Sequence, residues 1–198
     1  STLYGRLLLA KVALVLLVAL AAPALSMRFG YPDAGTGPEH LSSRRAYDLV
    51  TEAFGPGANG PLVIAVDAHG DASVVERVAN ALGGDPGVTA VLPAELAEDG
   101  RSAAMVVIPA SGPQDEATVD LIHRLRGKVV PDAVGASDAD VTIGGSVASF
   151  VDESSFMSAR LPLFIGAVVC LSFLLLLVVF RSVLVAVNRQ TLMHDRLL

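Results

Sequence analysis

Few residues in this chain have the type and spacing for chemistry. Gly144-Gly145-Ser146-Val147-Ala148 approaches the Gly-x-Ser-x-Gly elbow that exposes a nucleophilic serine between a strand and a helix, but Ala148 replaces the last glycine. A hydrolase would also need a partner acid and histidine; the only later histidine is His194. The competing reading is a glycine turn with Ser146 capping a helix, and no enzymatic activity is expected. Asp67-Ala68-His69-Gly70-Asp71 offers two carboxylates and an imidazole to a divalent cation, yet it falls where a strand turns into a helix, and Asp71 suits a helix N-terminus. Asp138-Ala139-Asp140 reads as a polar turn before a strand, with no third ligand nearby in sequence. His123 falls on the polar side of a helix, one turn after Asp120. The lone Cys170 sits in a long apolar run and has no disulfide partner in the chain. The glycine-rich string at Gly55 lacks the Gly-Lys-Ser/Thr ending of a phosphate loop. No catalytic residue, metal site or cofactor is expected.

The elements that must position these residues begin and end in apolar runs. One extends from about Leu7 to Leu25, interrupted only by Lys11, and the other, Leu161 to Phe180, carries no charge over 20 residues. A bilayer core about 30 Å thick takes about 20 apolar residues as a helix, and backbone groups in lipid must be satisfied within the segment. The first run also has the basic start and small-residue end of a signal peptide, which stands as its alternative. Between them, from Met27 to Arg160, lie 19 Asp or Glu against 9 Lys or Arg. Outside that stretch the only acid is Asp195, against Arg6, Lys11, Arg181, Arg189 and Arg196. Basic flanks mark the cytoplasmic side, so both termini are expected inside the cell membrane and the central domain outside. So acidic a domain also argues against nucleic acid as a partner.

Within the central domain, Ser42 or Ser43 opens a helix with Ala46, Leu49, Val50, Ala53 and Phe54 at helical spacing. Gly55-Pro56-Gly57-Ala58-Asn59-Gly60-Pro61 ends it. Strands are expected at Leu62 to Val66, Val88 to Leu92, Ala103 to Ile108 and Val141 to Ile143. A helix opened by Asp71 or Ser73, with Glu76 three residues after Ser73 as in a capping box, buries Val74, Val75, Val78 and Leu82; another, opened by Ser111-Gly112-Pro113-Gln114, buries Ala117, Leu121, Ile122 and Leu125. The order is strand, helix, strand, strand, helix, strand, with the middle strands a hairpin and both helices on one face. The fold class is α+β, a ferredoxin-like βαββαβ module between two transmembrane helices. Its expected parts are a spanning helix over 1–27, an extracytoplasmic domain over 28–158, a second span over 159–181 and a cytoplasmic tail over 182–198.

A membrane-flanked βαββαβ module resembles the porter domain of the resistance-nodulation-division transporters. Five strings are similar to one branch, the MMPL family (mycobacterial membrane protein large): Pro32-Asp33-Ala34-Gly35, Arg45-Ala46-Tyr47-Asp48-Leu49, Phe54-Gly55-Pro56-Gly57-Ala58-Asn59-Gly60-Pro61, Ser111-Gly112-Pro113-Gln114-Asp115 and Val179-Phe180-Arg181-Ser182. The string at Phe54 is the most specific. The resemblance is to the opening of the second of two fused repeats, and after Val187 the sequence departs from it.

That resemblance implies part of a proton-driven exporter of lipids or other hydrophobic compounds. The implied partners are the bilayer, a lipid or hydrophobic substrate, and the remaining transporter helices or the other repeat. The family's proton relay uses Asp and Tyr inside later membrane helices, and neither apolar run here contains an acid. The chain is therefore expected to be a truncated or partial product, without transport activity alone. A stand-alone anchored module that binds a lipid or protein is the alternative. The resemblance implies two sites: a hinge loop at Gly55, Pro56, Gly57, Asn59, Gly60 and Pro61, and cavity-facing acids at Asp152 and Glu153. A rigid connector and simply solvated acids are the competing readings.

Overall fold

The computed structural model describes residues 11–12, 15–16, 19–20, 30–98 and 100–194, with side chains through 176 and at 178. Most of the first apolar run lies outside the described residues; those described within it, Lys11, Val12, Val15, Leu16, Ala19 and Leu20, are helical. The chain divides into two compact units, Ser1–Ala148 and Ser149–Leu198.

In the first unit a 3-10 turn at Ala34–Thr36 precedes helix α1, Ser42–Phe54. A second 3-10 turn, Pro56–Asn59, leads to β1, Leu62–Asp67. Then follow α2 (Ser73–Gly83), β2 (Val88–Val91), β3 (Glu95–Leu96) and β4 (Ser102–Pro109). Helix α3, Glu116–Arg124, passes through a π-helical turn, Leu125–Val129, into α4, Val130–Val134, before β5, Asp140–Gly144. The result is a mixed α and β unit around an antiparallel sheet of order β2-β4-β1-β5, with β3 also paired to β4.

β1 shows why these residues make a strand. Leu62, Ile64 and Val66 are buried, while Val63, Ala65 and Asp67 are exposed, the period of two that a half-covered sheet imposes. Its neighbours keep the register: Leu62 faces Val107, Ile64 faces Met105 on one side and Ile143 on the other. Ala103, Met105, Val107 and Ile143 are buried with them. Helix α2 adds Val74, Val75, Val78 and Leu82, the four residues its spacing assigns to the core. It stops at Gly83-Gly84, where the Gly84 amide still bonds the Asn80 carbonyl at 3.0 Å.

Several local details depart from expectation. The middle strands pair as β2 with β4, but β3 forms between them and the ladder is irregular between Val88 and Ala90. Of the two expected openers of α2, it is Asp71, one residue ahead of the N-cap Ala72, that binds the first turn, accepting from the Ser73 amide at 3.2 Å and its hydroxyl at 2.5 Å. In α3 it is Thr118, not Ala117, that is buried. Its hydroxyl donates to the Gly112 carbonyl at 2.6 Å and receives from Ser111 at 2.6 Å, which satisfies the polar group inside the core. The π turn has a covalent cause: Pro131 lacks an N–H for the preceding turn, and the Val130 amide bonds the Leu125 carbonyl five residues back. The apolar spacing of α1 corresponds to no buried face, since Leu49 and Phe54 are 62 % and 72 % exposed.

Helix α5 runs as Ser146–His194 with Pro162 inside it, and its residues from Ser149 onward belong to the second unit. Its stretch Ser146–Leu176 contains a window of mean hydropathy 2.2, none of it buried, and is the one helix among the described residues long and apolar enough to cross a membrane. Arg160, just ahead of the uncharged run, lays its guanidinium 4.3 Å from the centre of the Phe156 ring.

Candidate functional site

Four of the five strings that carry the resemblance meet at one corner of the first unit. Gly55 ends α1 at φ +89°, a backbone state L side chains avoid, and its amide bonds the Thr51 carbonyl at 3.0 Å. In the 3-10 turn that follows, Gly57 is buried so closely that a Cβ there would stand 1.8 Å from the Pro109 carbonyl oxygen at the end of β4. At Gly60 a Cβ would stand 2.7 Å from Cβ of Pro113 and 3.0 Å from Val147. Asn59 reaches back to α1, donating to the Tyr47 carbonyl at 3.2 Å and to the Thr51 hydroxyl at 2.8 Å. The Phe54 to Pro61 string thus joins α1 to the sheet, through the Asn59 side chain on one side and, on the other, a backbone approach at Gly57 that only glycine permits.

The segment before α1 closes over the same corner. Asp33 caps its own 3-10 turn by accepting from the Gly35 amide at 2.8 Å, and the same oxygen accepts from the Gln114 side chain, 81 residues away in sequence. The second Asp33 oxygen is buried and has no hydrogen bond of ordinary geometry. The Tyr47 phenol stands beside this carboxylate, its ring so close to Gly35 that a Cβ there would meet it at 2.8 Å. Burial first, then the charge and hydrogen-bonding of Asp33, push the phenol up to about 12. Arg44 donates to the carbonyls of Gly35 and Gly37 and pairs with Asp48 at 2.8 Å. That hydrogen bond to Asp48 raises the guanidinium above its ordinary value. Across the corner, Asp115 accepts from the Gly112 amide at 2.7 Å and squares the turn that holds Gln114.

The six residues expected to form a hinge loop lie together here, whereas Asp152 and Glu153, expected to face a cavity, lie exposed on α5. Ser146 is exposed in the first turn of α5, and Gly145 before it has φ +103° with the Pro61 carbonyl 2.9 Å from a built Cβ. The chain's backbone, rather than a nucleophile, requires that glycine. Asp71 spends its carboxylate on Ser73 and on Arg77 at 3.4 Å; these hydrogen bonds, Ser73's foremost, hold it below the usual carboxylate range. His69, at φ +44°, stands 3.7 Å from Asp67. The strands set Asp140 opposite Asp67, yet among the described residues no three His, Cys, Asp or Glu are grouped to hold a metal. His123 is exposed, as is Cys170 on α5.

Sequence reading singled out the strings but not the partnership of Asp33, Tyr47 and Gln114. A contact across 81 residues leaves no periodic signal, and the nearest hint was that Asp33, Tyr47 and Gln114 each fell inside a family-like string.

Comparison with known proteins supplies the context. The profile of the MMPL family matches residues 55–188. The membrane protein YdfJ of Bacillus subtilis is 35 % identical over 183 residues, covering 90 % of this chain and 25 % of its own length. The mycolic acid-containing lipids exporter MmpL11 of Mycolicibacterium smegmatis is 32 % identical over 183 residues, 88 % of this chain and 19 % of its own length. The heme uptake protein MmpL11 of Mycobacterium tuberculosis is 32 % identical over 188 residues, 89 % and 19 %. Among solved structures, the mycobacterial membrane protein MmpL11D2 covers 42 % of this chain and 99 % of its own, at 21 % identity and a TM-score of 0.33. The chain thus spans a quarter or less of these curated relatives, which are membrane proteins and transporters. With the family profile covering residues 55–188 and the likeness to YdfJ reaching over nine-tenths of the chain, this protein belongs to the MMPL family.

Proposed function

We propose that this chain is the porter-domain portion of a proton-driven exporter of lipids or other hydrophobic compounds, without transport activity by itself. The observation that carries this reading is the exposed apolar stretch of α5 in a chain of this family. The names of two relatives support the cargo class, one a lipid exporter and the other a heme uptake protein. In this reading the antiparallel order β2-β4-β1-β5, with α2 and α3 between strands, is a ferredoxin-like porter module. The first apolar run is a second span, and both termini are cytoplasmic. A proton path needs ionisable groups facing a bundle interior, and the apolar runs of this chain hold no acid. Vesicles with an imposed pH gradient test it: the chain alone leaves a fluorescent lipid analogue in place, and the protein of the whole reading frame moves it. Lipid movement by the chain alone, or movement by the whole protein without a gradient, overturns the reading.

The loop at Gly55, Pro56, Gly57, Asn59, Gly60 and Pro61 acts as the hinge between α1 and the sheet. The left-handed Gly55 and the two short 3-10 bonds, Ala58 to Gly55 at 3.2 Å and Gly60 to Gly57 at 3.0 Å, support it. Amide exchange of Ala58 and Gly60 faster than that of β1 is the expected sign; protection equal to β1 sinks it. Asp152 and Glu153 face a membrane-proximal cavity of the whole transporter, and D152N with E153Q is expected to slow export there while leaving the amount of protein in the membrane unchanged. Export at the unsubstituted rate removes them from the pathway.

A further inference from the structure

Two segments that precede the Gly55–Pro61 turn, Pro32 to Gly37 and α1, meet one that lies beyond it at a single carboxylate. Pro32 to Gly37 form a strap whose attachment to α1 is built from α1 itself: Arg44 donates to the Gly35 and Gly37 carbonyls, and the Tyr47 ring covers Gly35. Strap and α1 therefore make one body. The backbone joins that body to the sheet through the Gly55–Pro61 turn, and a side-chain bond joins them a second time, from Gln114 to Asp33. Gln114 belongs to the turn between β4 and α3, on the sheet side, and that turn is stiffened by Asp115 and by the buried Thr118 hydroxyl.

We propose that Gln114 and Asp33 are a releasable catch across the Gly55–Pro61 turn, holding strap and α1 in one position against the sheet module. The proposal rests on the hinge reading and adds to it what sets the hinge's position. A catch must be specific yet breakable, and this one is both. The amide donates to a carboxylate oxygen already oriented by the Gly35 amide at 2.8 Å, while Gln114 itself is exposed, so water competes for it. A single bond of this kind biases a two-state balance by roughly tenfold. It is enough to choose a resting position and too little to prevent movement.

The test uses the full chain in lipid nanodiscs. Cys170→Ser removes the sole cysteine, and Glu52→Cys on α1 and Ala104→Cys on β4, both exposed, carry spin labels whose separation is measured by pulsed electron resonance. The parent is expected to give one narrow distance. Gln114→Ala raises a second distance about tenfold in population, and Gln114→Glu, which sets a carboxylate against Asp33, raises it further. Asn59→Ala, which loosens the turn without touching the catch, separates the two ideas. If Asn59→Ala broadens the distribution and neither Gln114 variant does, the hinge stands and the catch is wrong. If the parent is already broad and the Gln114 variants match it, the catch is likewise wrong. One narrow distance in every variant overturns both.

Discussion

A partly buried phenol with a carboxylate beside it gives up its proton late, and Tyr47 is placed that way. Its type says only that it titrates near 10; burial and Asp33 carry it up to about 12. Because the folded value lies above the unfolded one, the stabilisation is fully present below about pH 10 and is lost as pH rises through about 12. Absorbance at 295 nm through an alkaline titration is expected to show one of the three tyrosines ionising near pH 12. Gly57 in this corner and Gly127 in the π turn after α3 have opposite fates. Gly57→Ala drives a Cβ to 1.8 Å from the Pro109 oxygen, whereas Gly127 has nothing within 4 Å. Thermal unfolding is expected to show a loss of at least about 3 kcal/mol for the first and a change within about 1 kcal/mol for the second. The glycine-proline string was visible in sequence as a helix stop. That Gly57 must be glycine because a strand end passes over it was not.

Helix α2 and helix α1 have similar apolar spacing and unlike surroundings. Val74, Val75, Val78 and Leu82 are buried, but Leu49 and Phe54 are not. Leu82→Ala is expected to cost about 2–5 kcal/mol and Leu49→Ala to stay within about 0.5 kcal/mol, as read by denaturant unfolding. Periodicity says which residues share a face and nothing about whether a neighbour covers it. Ion pairs between elements are equally silent in sequence. Asp85, after α2, takes both oxygens to Arg124 on α3 at 2.8 and 2.7 Å, and the Gly87 amide adds a third bond at 2.8 Å. Arg124 foremost, with that amide, holds the Asp85 carboxyl below its ordinary range, and the guanidinium is raised in return. A depressed folded value means the pair stabilises above the unfolded carboxyl pKa, near 3.9, and loses that as pH falls through the folded one. Asp85→Asn is expected to cost about 1–2 kcal/mol at pH 7, given the partly exposed Arg124. That difference should shrink towards zero as both proteins are acidified through the lowered titration of the folded carboxyl.

For the whole molecule, the expected membrane orientation makes a direct prediction. Cys170 lies in the apolar stretch of α5. In intact cells it is expected to resist a membrane-impermeant maleimide. Thr142→Cys in a Cys170→Ser background, on the exposed side of β5, is expected to react from outside. Labelling of Cys170, or of neither, contradicts the arrangement. Apolar composition over 20 residues, the excess of acid between the two runs, and the strand and helix periods were all determined by sequence alone, because each depends on neighbours a few residues apart. The tertiary structure decided what depends on distant neighbours. It left the apolar side of α1 uncovered, seated Gly57 beneath Pro109, set Asp140 opposite Asp67, and brought Gln114 to Asp33. These outcomes follow from sheet register and chain return, which set segments side by side without leaving a mark in the local sequence of either.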